Sequence, residues 1–227
     1  MRLGIISDIH ANLPALEQVL DRLDEEDLDG LLCAGDIVGY YVWPNEVVEA
    51  VRERDVDAVL GNHDAGLIGR DFPFNAVARQ ALDWTEEEIT DANRSYLEGL
   101  PDTHRDDYDG TDLYMVHGSP RSPLREYVNG SSIGPPFIES CFDEPPDICV
   151  MGHTHHPYTT TVEETLFLNP GSVGQPRDGD TRASCAVLDT EEREAAIHRV
   201  EYDIKKVAEA VREHLPSTLG ERLHHGI

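Results

Sequence analysis

Lysine is almost missing from this chain. Lys205 and Lys206 are the only examples, and arginine supplies the rest of the 18 basic residues against 45 acidic ones, for a net charge of −27. Such a surface repels nucleic acid and anionic membranes in dilute salt. The acids are spread along the chain, which excludes a simple acidic interaction tail. Long apolar runs are also lacking. The opening Leu3-Gly4-Ile5-Ile6 runs straight into Ser7-Asp8, so neither a signal peptide nor a membrane span is expected, and the protein is read as soluble and cytoplasmic. The four cysteines, Cys33, Cys141, Cys149 and Cys185, show no CxxC spacing. They read as small buried hydrophobes in a reducing compartment, not as disulfides or a thiolate zinc site. Repeats and low-complexity tracts are absent.

What is present is a globular composition. Over 227 residues, 39% are apolar, enough to bury a core in one domain. The acid excess resembles that of proteins from salt-loving organisms, where concentrated salt screens self-repulsion, so a halophilic protein is expected.

Apolar runs and spacings predict strands at Leu3–Ile6, Leu31–Cys33 and Ala58–Leu60, separated by helices from Leu13 to Leu23 and from Pro44 to about Arg54. That β-α-β-α-β order implies a parallel sheet with right-handed crossovers. Helices over Ala76–Leu82 and Thr85–Leu97 suggest a cap within a single domain 1–227, inserted around residues 72–100. Strands follow at Leu113–Val116 and Ile148–Met151. Tyr158–Val162, Leu166–Leu168, Ala183–Asp189 and Ala195–Val200 read as an antiparallel meander, and Ile204–Leu215 as a last amphipathic helix before a frayed tail.

Five segments share one design, an apolar strand followed by a polar loop: IISDIH, LCAGD, VLGNHD, MVHG and VMGHTH. In open α/β sheets ligands bind beyond the carboxyl ends of strands. A lone Asp-x-His is a common loop feature, but five such loops bring Asp8, His10, Asp36, Asn62, His117, His153 and His155 to one region. If the loops stay extended, residues two apart project together. Asp8 would then pair with His10 and His153 with His155, leaving His156 a bystander. Seven nitrogen and oxygen donors exceed what one ion needs. They suit two divalent ions sharing a carboxylate, with Mn²⁺ first and Fe, Zn²⁺ or Ni²⁺ as alternatives.

The ordered set S-D-I-H, A-G-D-I, L-G-N-H-D, V-H-G and M-G-H-T-H resembles the calcineurin-like metallophosphoesterases over residues 1 to about 175. Segments such as SDIHANLPALE, VHGSPRSPL and NPGSVGQPRDGD look like the smaller, YfcE-like phosphodiesterase branch. The resemblance implies a four-layer α/β/β/α sandwich of two mixed sheets. It also implies that Asp8, His10 and His155 hold one metal, that Asn62, His117 and His153 hold a second, and that Asp36 bridges them. His63 resembles the family's catalytic histidine, with Asp64 orienting and charging it. Ile37-Val38-Gly39 and Leu60 stand where the protein serine/threonine phosphatases carry arginines, which weighs against a phosphoprotein substrate.

The expected function is metal-dependent hydrolysis of a small phosphodiester or nucleotide-type substrate, with no oligomer predicted. The alternatives are a non-catalytic metal-binding docking scaffold of the same fold, which the presence of His63 disfavours, and a nuclease, which the acidic surface disfavours. Arg121 could fork onto a phosphate or pair with a carboxylate. Asn12 could cap the first helix or reach the phosphate. Tyr40, Tyr41 and Trp43 could stack a base or cover the core edge.

Overall fold

The computed structural model describes residues 1–227. The strands are β1 (Arg2–Ile6), β2 (Gly30–Cys33), β3 (Asp57–Ala58), β4 (Thr103–Tyr108), β5 (Thr111–Val116), β6 (Ile148–Met151), β7 (Tyr158–Val162), β8 (Thr165–Asn169), β9 (Ala183–Asp189) and β10 (Glu194–Val200). The helices are α1 (Leu13–Leu23), α2 (Pro44–Glu53), α3 (Asn62–Leu67), α4 (Ala76–Glu88), α5 (Asp91–Glu98), α6 (Pro135–Cys141), α7 (Ile204–His214) and α8 (Thr218–Leu223). No helix is long and apolar enough to cross a membrane.

Two five-stranded mixed sheets result, ordered β10-β9-β1-β2-β3 and β4-β5-β6-β8-β7. Strands β1, β2 and β3 are parallel to one another, as are β5, β6 and β8, while β9, β10, β4 and β7 join antiparallel. Side-chain alternation sorts the core into layers. Leu3, Ile5 and Leu32 of one sheet meet Leu113, Met115, Ile148 and Val150 of the other between the sheets. Their neighbours Ile6 and Cys33 face outward onto α1 and α2, and Cys149 and Met151 face outward onto α6. The central strands are apolar on both faces because both faces are covered. The family's α/β/β/α sandwich is the observed architecture.

Three elements depart from the sequence reading. The late strands are not one meander: β8 pairs parallel with β6, and the chain then crosses to the other sheet to form β9. Strand β3 ends at Ala58 rather than Leu60, since the backbone must turn toward Gly61. The C-terminal tail is no frayed end, because Leu219 and Leu223 of α8 are buried against Tyr40, Tyr41 and α7.

Within residues 72–100, Leu82 of α4 and Leu97 of α5 pack into the same core cluster as Leu67 of α3. The segment Phe72–Phe74 leads from α3 into α4 beside the strand ends. Those ends, of β1, β2, β3, β5 and β6, converge at one edge of the sandwich and carry the polar loops.

Candidate metal and catalytic site

Each polar side chain of the five motifs is held by its loop. Asp8, His10, Asp36, His153 and His155 all have φ between 53° and 67°. The loops are therefore not extended: these residues sit in the left-handed region, which costs a non-glycine residue on the order of 1–3 kcal/mol each. Strain of this kind concentrates where surrounding structure over-determines it. Here Asp8 N–H bonds Gly35 O at 2.9 Å, His10 N–H bonds Asp36 O at 2.9 Å, and His153 N–H bonds Asp8 Oδ2 at 3.0 Å. The last bond ties the β1 loop of one sheet to the β6 loop of the other.

The consequence is two clusters. In the first, Nε2 of His155 lies 3.2 Å from Asp8 Oδ1 and 3.2 Å from Nε2 of His10. In the second, Nε2 of His117 lies 3.0 Å from Nδ1 of His153, 3.2 Å from Asn62 Oδ1 and 3.4 Å from Asp36 Oδ2. The same Asp36 oxygen is 3.7 Å from Nε2 of His10, so one carboxylate oxygen faces both clusters. Its other oxygen accepts the backbone N–H of His63 at 2.8 Å. His153 and His155, two apart in sequence, thus belong to different clusters. His156 is exposed and turns its Nδ1 to Thr154 O at 2.8 Å.

Backbone carbonyls set the tautomers. Nδ1 of His155 donates to Gln175 O at 2.5 Å, Nδ1 of His117 to Ala34 O at 2.8 Å, and Nδ1 of His10 to Val38 O at 3.3 Å. With those protons committed, the Nε2 lone pairs of His10 and His155 point at each other in a buried site. Asp8 Oδ1 faces the same point with no hydrogen-bond partner. Converging buried lone pairs repel unless a cation lies among them, and an all-nitrogen and oxygen set fits a divalent ion. Asp8, His10 and His155, and likewise Asp36, His117 and His153, each place their donor atoms within 4.8 Å of one another.

Electrostatics follow the same crowding. Burial drives His10 and His155 well below the ordinary imidazole range, and takes His153 to about 3 with help from the His117 charge. Burial raises Asp8 to about 7, against the pull of His117. Burial also works against Asp36 ionising, yet His117 and His63 hold its carboxyl well below the usual range. Burial would lower His117, but Asp36 and Asp8 outweigh it and lift the ring to about 9. With protons as the available cations, His117 is where one settles.

His63 lies beside the clusters, its ring centroid 4.8 Å from that of His10. Burial lowers it to about 4, and its Nδ1 has no hydrogen-bond partner. Asp64 does not contact it. Its carboxylate instead accepts N–H from Val38 at 3.0 Å, Gly61 at 3.0 Å and Ile37 at 3.2 Å. Adjacent helical residues point about 100° apart, so within α3 the histidine and the aspartate face different ways. The expectation that Asp64 orients His63 is therefore corrected: it pins the Asp36 loop.

Two further expectations change. Arg121 is exposed, forked onto Glu126 and hydrogen-bonded to Ser140 Oγ at 2.8 Å, away from the clusters. In so acidic a chain the carboxylate partner wins over a phosphate. Asn12 is fully buried, accepting Ala15 N–H as the cap of α1 and donating to Gly174 O at 2.8 Å, so both ends of its amide are spent. Arg177 reaches Gln175 Oε1 at 2.7 Å and Tyr40 Oη at 3.4 Å, which braces the residue whose carbonyl holds His155.

A cleft of about 220 Å³ opens on Asn62, His63 and His153 and is walled by Tyr40, Phe72, Phe74, Leu124, Arg125 and Tyr127. Apart from Tyr40, the walls were not singled out from sequence. The Phe-Pro-Phe run after the GNHD motif was the available signal; Tyr127 offered none, nor did the carbonyls of Ala34, Val38 and Gln175.

The model of the calcineurin-like phosphoesterase superfamily domain matches residues 1–193. An uncharacterized protein of Methanocaldococcus jannaschii is 37% identical across 99% of this chain and 98% of its own. The phosphodiesterase YfcE of Escherichia coli is 28% identical across 84% of this chain and 89% of its own. The crystal structure of a metallophosphoesterase from Sphaerobacter thermophilus superposes with a TM-score of 0.86 at 39% identity, covering 100% of this chain and 99% of that one.

Proposed function

The chain belongs to the calcineurin-like phosphoesterase superfamily and is a metal-dependent hydrolase of phosphoric esters of the YfcE-like branch, and from that premise we propose that it is a phosphodiesterase acting on a small diester or nucleotide-type substrate. In this reading Asp8, His10 and His155 hold one divalent ion, Asn62, His117 and His153 hold another, and Asp36 serves both. Imidazole and carboxylate donors suit Mn²⁺, Fe, Zn²⁺ or Ni²⁺, and we propose Mn²⁺ for both positions. The observation that carries the reading is the pair of buried clusters sharing one oxygen of Asp36, 3.4 Å from His117 and 3.7 Å from His10.

Two divalent ions bound there would supply Lewis-acid polarisation of a phosphoryl oxygen and would ease the ionisation of water near neutral pH. The protein's own residues do the rest. The carbonyls of Ala34, Val38 and Gln175 keep three imidazoles in the tautomer that presents Nε2. His63, neutral at pH 7 by its burial, offers a ring N–H to the phosphoryl or leaving oxygen. Gly61 lets the site close: a Cβ there would stand 2.1 Å from Asp36 Oδ1. The net charge of −27 disfavours long nucleic acid as substrate. It also fits a protein working in a salt-rich medium, and the four free cysteines fit a reducing cytoplasm.

The test is hydrolysis of bis(4-nitrophenyl) phosphate and of 4-nitrophenyl phosphate, with Mn²⁺ in molar KCl. The diester is expected to react faster, and His63→Ala to lose about 10²–10⁴-fold in rate with its bound Mn²⁺ unchanged. Wild type and variant both inert, with Mn²⁺ bound, would replace the enzyme by a docking scaffold.

A further inference from the structure

A phosphate group alone needs no aromatic walls, yet the cleft beside His63 is built of them. Tyr40 stands 4.5 Å and Phe74 4.9 Å from the His63 ring, centroid to centroid. Tyr127 lies flat on His153, 3.8 Å away with 22° between the planes. It is 61% exposed and, besides the terminal Ile227, is the only large hydrophobic side chain so exposed. An aromatic ring left in water is not part of the core. Its stack on His153 fixes it as an oriented surface at the cleft mouth.

Arg125 lines the same cleft. Its guanidinium sits 4.4 Å from the Phe72 ring centroid and donates to Asp71 O at 2.7 Å, with no carboxylate partner. Of the arginines without a carboxylate partner, Arg125 is the one that lines the cleft beside His63, where its charge can meet a ligand. Arg121, four residues earlier, is neutralised by Glu126. The cleft volume of about 220 Å³ falls below the roughly 300–1,000 Å³ of pockets for drug-sized ligands. A volume of that order suits one ring system.

We propose that this cleft is the subsite for the ester group bonded to the reacting phosphorus and that it takes a planar aromatic ring, either a nucleobase or an aryl group. The inference rests on the phosphoesterase reading and narrows its substrate class. The ring stacks on the exposed face of Tyr127, with Arg125 at its edge. The adjoining phosphoryl group then lies at His63 and His153.

Calorimetric titration of the full chain loaded with Mn²⁺ tests it, using non-hydrolysable phosphonates. Phenylphosphonate is expected to bind about tenfold tighter than methylphosphonate, from aromatic stacking. In Tyr127→Ala that ratio should fall to about threefold, and Tyr127→Trp should restore it. Tyr127 is exposed, so its variants should fold. The phosphonate analogue of adenosine 5′-monophosphate, set against that of ribose 5-phosphate, separates nucleobase from aryl group: a larger gain for the adenosine pair identifies a nucleobase. Equal binding of the phenyl and methyl compounds by wild type, or a ratio untouched by Tyr127→Ala, would overturn the subsite. If neither phosphonate bound while Mn²⁺ did, the phosphoesterase reading itself would fall.

Discussion

Gly39→Ala is the sharpest probe of how the fold places His63. Gly39 has φ +96°, and a Cβ on it would stand 2.5 Å from Nδ1 of His63, where ordinary contact begins near 3.4 Å. The imidazole must then retreat by about 0.9 Å, the difference between those distances. A misplacement near 1 Å in a catalytic group costs about 10²-fold in rate. The left-handed backbone adds about 1–2 kcal/mol of strain for a residue with a Cβ, which in a chain of this size lowers Tm by about 2–8 °C. His63 has a donor atom within 4.8 Å of those of His10 and Asp36 but is not one of the seven proposed ligands, so bound Mn²⁺ should not change. The assay pairs kcat on bis(4-nitrophenyl) phosphate with metal content by atomic spectroscopy. A kcat within twofold of wild type would refute the requirement for His63 at that position. Loss of metal would show instead that the substitution acts through the Asp36 loop.

Asp64→Ala strips acceptors from three buried N–H groups, at Ile37, Val38 and Gly61. A loss of about 3 kcal/mol in stability is expected, read by denaturant melts, while the acid limb of the pH–rate profile stays in place because Asp64 does not touch His63. Mn²⁺ affinity should rise with pH through about 7 as Asp8 loses its proton and through about 9 as His117 does. Both groups must be unprotonated to ligate, so affinity falls on acidification, and a flat Kd between pH 6 and pH 9 by calorimetry would contradict it. In the metal-free chain His117 has a raised pKa, so its contribution to stability is complete below about 6.5 and is lost as pH rises through about 9. Molar KCl should raise Tm relative to dilute buffer by screening the net charge of −27; an unchanged midpoint in thermal melts would count against that.

The parts of the fold that were legible are those whose burial is periodic. Helix α1 buries Leu16, Val19, Leu20 and Leu23 at helical spacing, and β6 is apolar throughout because both its faces are covered. Strand β4, THRDDY, was invisible: it lies at a sheet edge with half its residues exposed, so no apolar alternation marks it. Helices α3 and α8 run six residues each, too short for periodicity to register. The donor types were readable from motif chemistry and their grouping from the family resemblance, but strand alternation grouped them wrongly. Alternation assigned His153 and His155 to one direction, whereas left-handed backbone sends them to separate clusters. The cleft walls escaped because Tyr127 and Arg125 reach the site through tertiary packing, with no local signature.

The central claim is that seven side chains hold two ions through a shared Asp36. Anomalous diffraction from a crystal grown with Mn²⁺ tests it most directly. Two peaks about 3.5–4 Å apart are expected, one against Asp8, His10 and His155, the other against Asn62, His117 and His153, with the Asp36 carboxylate touching both. A single peak, or two with Asp36 bound to only one, would contradict it.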